Sequence, residues 1–167
     1  MSTVDAEAQF RELLEHHRGI VFKVAASYAR GAQDSEDLAQ EIAAQLWRAF
    51  PKYDGTRSFS TWMYRIALNV AISHLRERSR YDSVHEPLDI AVHDAADSAS
   101  DAQADARVRE LHRCIARLDP LNRALLILYL DERSQRDIAE ILGISETNVA
   151  TKIGRLKQRL RNDMSEA

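Results

Sequence analysis

Apolar residues recur at spacings of three and four along most of this chain, and such spacing is typical of amphipathic helices. The pattern predicts helices over residues 7–30, 34–50, 59–78, 107–130, 134–142 and 146–161. Sustained alternation of apolar and polar residues, which would indicate strands, does not occur. Residues 81–106 interrupt the pattern because they are rich in Asp, Ala and Ser and contain Pro87. The sequence therefore predicts an all-α protein with two small helical domains, 7–80 and 107–163, joined by a flexible linker over 81–106.

The ends of the second predicted helix carry recognisable signals. Asp34, with Asp37 three residues later, has the spacing of an N-cap, and we expect it to begin this helix. Pro51 is expected to end the helix, and Gly55 in the Asp-Gly pair is expected to form a turn. The residues that follow Pro51 are therefore predicted to form a loop that leads into the third helix.

The third predicted helix, FSTWMYRIALNVAISHLRERSR, begins with aromatic residues and ends with arginines. At about 100° per residue, most of its apolar side chains fall on one side and a narrow stripe falls on the other. The stripe consists of Trp62, Arg65, Asn69, Arg76 and Arg80. Because arginines can hold phosphates and an exposed ring can stack on an unpaired base, the stripe suits DNA that is being opened.

Aromatic residues at helical spacing more often belong to a protein core than to a binding surface. We expect a core position for Phe59 and for Tyr64, which falls among the apolar residues. For Trp62 both interpretations stay open, because it shares the face of the arginines.

The segment SQRDIAEILGISETNVATKIGRLKQRLR has the pattern of a helix-turn-helix. Ser134 and Ser145 are the predicted N-caps of two helices, and Gly143 is expected to end the first one in the left-handed conformation. The predicted inner positions are Ile138, Ala139 and Leu142 in the first helix, and Val149, Ile153, Leu156 and Leu160 in the second. A small residue such as Ala139 would let the two helices approach closely.

The second helix of this motif has a polar and basic outer face. Near its start, where a recognition helix contacts base edges, lie Thr147, Asn148, Thr151 and Lys152. Basic side chains for phosphates follow at Arg155, Lys157, Arg159 and Arg161. The alternative is an ordinary helical hairpin with a solvated basic face, but the caps, the glycine and the basic helix together favour DNA binding.

The distribution of charge changes what the net charge of −3 implies. Residues 57–80 hold five Arg and one acidic residue, which gives +4. Residues 81–106 hold seven Asp or Glu and no Lys or Arg, which gives −7. Residues 134–162 hold six Lys or Arg and three acidic residues, which gives +3. Two basic segments that could bind nucleic acid therefore flank an acidic one.

Other classes of function find little support in the sequence. Phosphate-binding loops, HExxH motifs, nucleophile elbows and clusters of His or Cys do not occur, so we expect no enzyme, no cofactor and no metal site. Cys114 is the one cysteine among 167 residues and is expected to be a small apolar residue on a helix. No apolar run approaches the roughly 20 residues that span a membrane. With an N-terminus that lacks a secretory signal, this predicts a cytoplasmic protein.

Three stretches, taken in order, resemble bacterial RNA polymerase sigma factors of the sigma-70 family. They are DSEDLAQEIAAQLWRAFPKYD, FSTWMYRIALN and the helix-turn-helix near the C-terminus. The two-domain layout resembles the extracytoplasmic-function (ECF) group, which keeps the second and fourth sigma regions and joins them by a flexible linker. The resemblance implies that residues 7–80 form a region 2 helical bundle and residues 107–163 form a region 4 helix-turn-helix. It implies an alternative-type sigma factor that directs polymerase to promoters and helps to open the −10 element.

The resemblance also assigns roles to residues. Docking on the clamp coiled coil of the polymerase β′ subunit is implied for Asp37, Leu38, Gln40 and Glu41; a solvated acidic helix start is the alternative for these positions. The loop 53–59, with Tyr53 and Arg57, would form a pocket for a flipped base. Strand opening is implied for Trp62, Arg65, Asn69, Arg76 and Arg80, and recognition of the −35 element for the C-terminal helix. Residues 119–133 would meet the β flap, and an anti-sigma factor is implied as a further partner.

Two other binding functions remain as alternatives. A free-standing helix-turn-helix regulator would account for the C-terminal half and would bind duplex DNA tightly without polymerase, but it leaves residues 34–80 unexplained. An adaptor that binds polymerase and not DNA would leave both basic segments without a role.

Overall fold

A computed structural model describes residues 2–84 and 102–165 of the chain, and the side chains within 2–81 and 105–165. Seven α-helices form in these residues: α1 (Thr3–Tyr28), α2 (Ala32–Ala49), α3 (Phe59–Val84), α4 (Ala102–Arg117), α5 (Pro120–Leu130), α6 (Gln135–Leu142) and α7 (Glu146–Ser165). A 3₁₀ turn, Phe50–Lys52, follows α2 directly. The described ranges contain no strand, so the predicted all-α class is confirmed.

The chain divides into two compact units, Met1–Leu88 and Asp89–Ala167. The first unit contains α1 to α3 and the second contains α4 to α7. Most of the predicted linker, residues 85–101, lies outside the described residues. At its two ends, residues 81–84 belong to α3 and residues 102–106 belong to α4.

The core of the first unit lies where α1, α2 and α3 pack against one another. Leu38, Ile42 and Leu46 recur every four residues along α2, and all three side chains are fully buried. From α3, Met63 and Tyr64 are buried completely in the same core. Since burial of each large apolar side chain contributes about 1.5–3 kcal/mol, this stripe is a principal source of the unit's stability.

The start of α2 differs from the prediction. Gly31, with φ of 97°, is the N-cap residue. Because glycine has no side chain, the first turn of α2 receives no side-chain capping hydrogen bond. Asp34 lies inside the first turn, so the prediction that it begins the helix is wrong. Its carboxylate instead accepts the backbone N–H of Arg30 at 2.8 Å and contacts side chains of α3. A local spacing rule could not foresee these long-range partners.

The predicted helix over 107–130 is two helices, α4 and α5. Asp119 has extended backbone geometry and caps α5 by accepting the N–H of Asn122, and Pro120 is the first residue of α5. Proline fits this first position because the N–H that it lacks would have no helical partner there. The buried Arg123 then donates to the carbonyl oxygens of Ala116 at 2.9 Å and Leu118 at 3.1 Å, at the end of α4.

The helix-turn-helix has the caps that the sequence predicts. Ser134 Oγ accepts the N–H of Asp137 at 3.0 Å, and Ser145 Oγ accepts the N–H of Asn148 at 3.1 Å. Gly143 ends α6 in the left-handed conformation with φ of 69°. The predicted inner positions of α7 are all buried, namely Val149, Ile153, Leu156 and Leu160. In α6, Ile138 and Ala139 are buried as predicted, but Ile141 is the third buried residue and Leu142 is only half-buried.

Candidate nucleic-acid interface

The loop between α2 and α3 is shaped by its own hydrogen bonds. The Tyr53 hydroxyl donates to the carbonyl oxygen of Arg57 at 2.9 Å and so closes the loop. Asp54 accepts the backbone N–H of Thr56 at 3.0 Å and the Thr56 hydroxyl at 2.7 Å. These hydrogen bonds lower the pKa of the Asp54 carboxyl below its ordinary value. Gly55 has φ of 77°, which confirms the predicted turn.

An aromatic cluster forms where this loop meets the start of α3. The ring centroids of Tyr53 and Trp62 are 5.1 Å apart, and Phe59 lies 5.6 Å from Tyr53 and 5.2 Å from Trp62. Phe59 and Tyr64 are buried, as predicted. Tyr53 and Trp62 are half-buried, so each packs against the cluster and is still partly accessible at the surface. Trp62 is therefore neither fully buried nor fully exposed, and its contact with DNA stays a prediction.

A basic stripe runs along α3 from this cluster. Its members Arg65, Asn69, Arg76 and Arg80 are all exposed. On the other side of α3, Met63, Ala67 and Ala71 are completely buried. The two predicted faces of the helix are therefore present, and α3 continues to Val84, beyond the predicted end.

Two polar residues of α3 face α2 and were not singled out by the sequence. Arg78 forms an ion pair with Asp34, and His74 places Nε2 3.1 Å from the same carboxylate. Burial alone would raise the pKa of Asp34, but the hydrogen bonds from Arg78 and Arg30 and the charge of Arg78 lower it below its ordinary value. The spacing of four between His74 and Arg78 is a signal that they share one face, although it does not identify their partner.

The residues predicted to dock on polymerase divide into two groups. Asp37, Gln40 and Glu41 are exposed on α2 and could meet a partner. Leu38 is fully buried in the core of the first unit. A direct role for Leu38 in docking does not fit, because no part of its side chain is accessible; it holds α2 against its neighbours.

The residues predicted to recognise duplex DNA also differ from one another. Thr147, Asn148, Thr151, Arg155 and Arg159 are exposed on α7, and Lys152 is half-buried. Lys157 lies on another flank of α7, where its Nζ is 4.5 Å from the centre of the Tyr129 ring on α5. A cation over an aromatic face is stabilised there, so Lys157 does not belong with the other basic residues. The spacing of residues within α7 could not predict this contact, because Tyr129 belongs to another helix, α5.

The described residues form surfaces that suit the binding of nucleic acid. They contain no group of three His, Cys, Asp or Glu that could hold a metal ion. Among residues 2–84 and 102–165, no helix is sufficiently long and apolar to cross a membrane. The first unit offers half-buried aromatic rings beside a basic stripe, and the second offers a capped helix with exposed polar and basic side chains. Such surfaces can hold unpaired bases and duplex DNA respectively.

Comparison with known families accounts for both units. Residues 13–81 match Sigma-70 region 2, and residues 108–160 match Sigma-70, region 4. The ECF RNA polymerase sigma factor RpoE of Cereibacter sphaeroides is 31% identical over 95% of this chain and 88% of its own length. The ECF RNA polymerase sigma factor SigW of Bacillus subtilis is 25% identical over 94% of this chain and 89% of its own.

Solved structures show the same fold. The sigma factor RpoE of Bartonella quintana, in complex with the anti-sigma factor NepR, matches with a TM-score of 0.75 and 21% identity, over 94% of this chain and 97% of that one. CnrH, in complex with the cytosolic domain of CnrY, matches with a TM-score of 0.69 and 22% identity, over 96% of this chain and 90% of that one.

Proposed function

Because the chain belongs to the ECF group of the sigma-70 family of RNA polymerase sigma factors, we propose that it binds core RNA polymerase, directs it to specific promoters and helps to open the −10 element. It supplies recognition and strand separation, and the polymerase supplies the chemistry of RNA synthesis. The regions matched include both units, whereas a free-standing helix-turn-helix regulator would account only for the second.

Opening of the −10 element falls to the first unit. Half-buried Tyr53 and Trp62 provide ring surface for an unstacked base, and the adjoining loop includes Arg57. Stacking of a base on an aromatic ring contributes about 1–3 kcal/mol, which is comparable to the cost of unstacking a base-pair step. The basic stripe then holds the phosphates of the strand or of the duplex edge.

Recognition of the −35 element falls to α7. Its first turns present Thr147, Asn148 and Thr151 to base edges, and Arg155 and Arg159 follow for the phosphates.

Docking on the β′ clamp coiled coil is assigned to Asp37, Gln40 and Glu41, which are exposed on α2. Residues 119–133 are assigned to the β flap.

An anti-sigma factor is a further proposed partner. The two solved structures compared above each contain a second protein, and in one of them it is named an anti-sigma factor. A cytoplasmic location follows from the proposed work on polymerase and chromosomal DNA. A change in the amount of free sigma factor would then control the promoters that it serves.

The observation that carries the proposal is that the aromatic cluster and the basic stripe lie within the residues matched to region 2, and that the capped helix α7 begins within those matched to region 4. The test is run-off transcription on fragmented genomic DNA from the same organism, with core polymerase alone and with the chain added. New RNA 5′ ends that share upstream motifs are expected. Tight duplex binding without new starts would favour the free-standing regulator, and retention on core polymerase without either would favour an adaptor.

A further inference from the structure

The second half of α3 has little apolar support. Its completely or nearly completely buried apolar residues end at Ala71, and later side chains up to Tyr81 are half-buried or exposed. Arg76 and Arg80 of the basic stripe both lie in this later part. The position of these two arginines therefore depends on contacts other than the core.

Asp34 provides such a contact from the first turn of α2. It forms an ion pair with Arg78 and lies 3.1 Å from His74 Nε2, so both inward-facing polar residues of the later part of α3 meet one carboxylate. The Asp34 side chain is only 15% exposed, and those of His74 and Arg78 are each 21% exposed. Water and salt screen the attraction between partly buried charges less than that between charges on the open surface. The contact also joins parts of the chain that are 40 residues or more apart.

The same cluster reaches the docking face of α2. Glu41 follows Asp34 by seven residues, which is two helical turns, and its Oε2 lies 3.8 Å from His74 Nδ1. Glu41 is 53% exposed and is one of the residues proposed to dock on polymerase. His74 therefore lies between a docking carboxylate and the carboxylate that holds Arg78.

We propose that Asp34, through Arg78 and His74, is a positioning residue that fixes the DNA-binding end of α3 against the polymerase-docking face of α2. Docking and promoter opening are thereby coupled, because the helix that meets polymerase also holds the arginines that meet DNA. This inference rests on the proposed function, and it adds residues that do not themselves touch DNA.

The first measurement needs neither polymerase nor DNA. Amide hydrogen exchange in the full-length chain is compared between wild type, Asp34→Asn and Arg78→Met, both of which keep the approximate size of the side chain. Exchange over residues 76–84 is expected to become at least about fivefold faster in both variants, since the end of the helix loses its tie. Ile42→Val is the matched control, because it weakens the buried core of the same unit without touching the cluster. Unchanged exchange over 76–84 in both variants would overturn the inference.

The second measurement separates docking from opening. With core polymerase and a promoter from the run-off experiment, Asp34→Asn and Arg78→Met are expected to reduce permanganate-detected opening about fivefold to tenfold. Affinity for core polymerase is expected to stay within about twofold. The double variant should open the promoter no less than either single variant, because Asp34 and Arg78 are two partners of one contact and their effects are not additive. Equal loss in Ile42→Val, or additive loss in the double variant, would mean that the cluster only stabilises the fold. If wild type opens no promoter, the proposed function fails, while the exchange result still decides whether Asp34 holds α3.

Discussion

The indole of Trp62 belongs to the packed aromatic cluster, and we propose that it also stacks on an unpaired base. Its ring lies 5.1 to 5.2 Å from the rings of Tyr53 and Phe59, so its orientation is set by neighbours before DNA arrives. Phe59 is buried behind it and holds the cluster on the first unit. A ring fixed in this way loses little freedom when a base stacks on it, which favours binding.

Replacement of Trp62 by Ala should therefore impair opening more than folding. We expect promoter opening to fall about tenfold, which corresponds to about 1.4 kcal/mol and lies within the range for one stacked base. Affinity for core polymerase should stay within about twofold. Permanganate footprinting measures the first quantity and a core-binding titration measures the second. Phe22→Ala is the matched control, since Phe22 is an exposed aromatic residue of α1 with no proposed contact to DNA or polymerase.

Equal loss of opening in both aromatic variants would contradict a specific role for Trp62. A parallel loss of core affinity in Trp62→Ala would also contradict it, because the defect would then arise before DNA is bound.

Among the helices, local signals predicted best where the chain caps itself. Ser134, Gly143 and Ser145 act on residues within a few positions, so the sequence was sufficient to locate the helix-turn-helix. The break at Pro120 was missed because apolar spacing continues across it and conceals two helices. The N-cap prediction for Asp34 was wrong and the packing of Lys157 was not foreseen for another reason: each has a partner on another helix, Arg78 and Tyr129 respectively. Burial of Leu38 likewise arises from packing that a single helix does not reveal.

The two flanks of α7 give a prediction for DNA recognition. Arg155→Ala should weaken binding of holoenzyme to promoter fragments that carry the −35 element and should reduce the salt dependence of log K by about one. Lys157→Ala removes the same charge from the flank that packs on Tyr129, and its effect on the salt dependence should be much smaller. Binding titrations between about 50 and 200 mM salt measure both slopes. Equal slopes in the two variants would show that the outer face of α7 has been assigned wrongly.

Arg123 connects α4 to α5 and gives a prediction for stability. Arg123→Met should destabilise the second unit by about 2–3 kcal/mol, because two carbonyl oxygens at the end of α4 lose a charged donor. Hydrogen exchange of α4 and α5 in the full-length chain measures this locally. Arg117→Met removes an exposed arginine at the end of α4 and should change stability by less than about 0.5 kcal/mol. Similar effects of both substitutions would contradict the capping role of Arg123.

Charge is unevenly distributed along the chain, and this affects how it behaves away from polymerase. Residues 81–106 carry −7, whereas the segments with the basic stripe and the recognition helix carry +4 and +3. Both proposed DNA-binding surfaces are basic and attract phosphates. At a distance, however, the negative charge of the acidic segment offsets their positive potential, so the chain as a whole attracts a DNA backbone only weakly. The chain should therefore bind non-specific duplex weakly when it is alone.

Neutralisation of the seven carboxylates in residues 81–106, as Asn or Gln, changes the net charge from −3 to −3 + 7 = +4. We expect the variant alone to bind non-specific duplex DNA at least about tenfold more tightly at 50 mM salt, because the attraction is long-ranged when screening is weak. The difference should disappear near 1 M salt, where the Debye length is about 3 Å. Fluorescence anisotropy with a labelled duplex measures both affinities. A variant with the order of residues 85–101 shuffled keeps the charge and should behave as wild type. If shuffling alone tightened binding, the order of these residues and not their charge would be the cause, and the electrostatic account would be wrong.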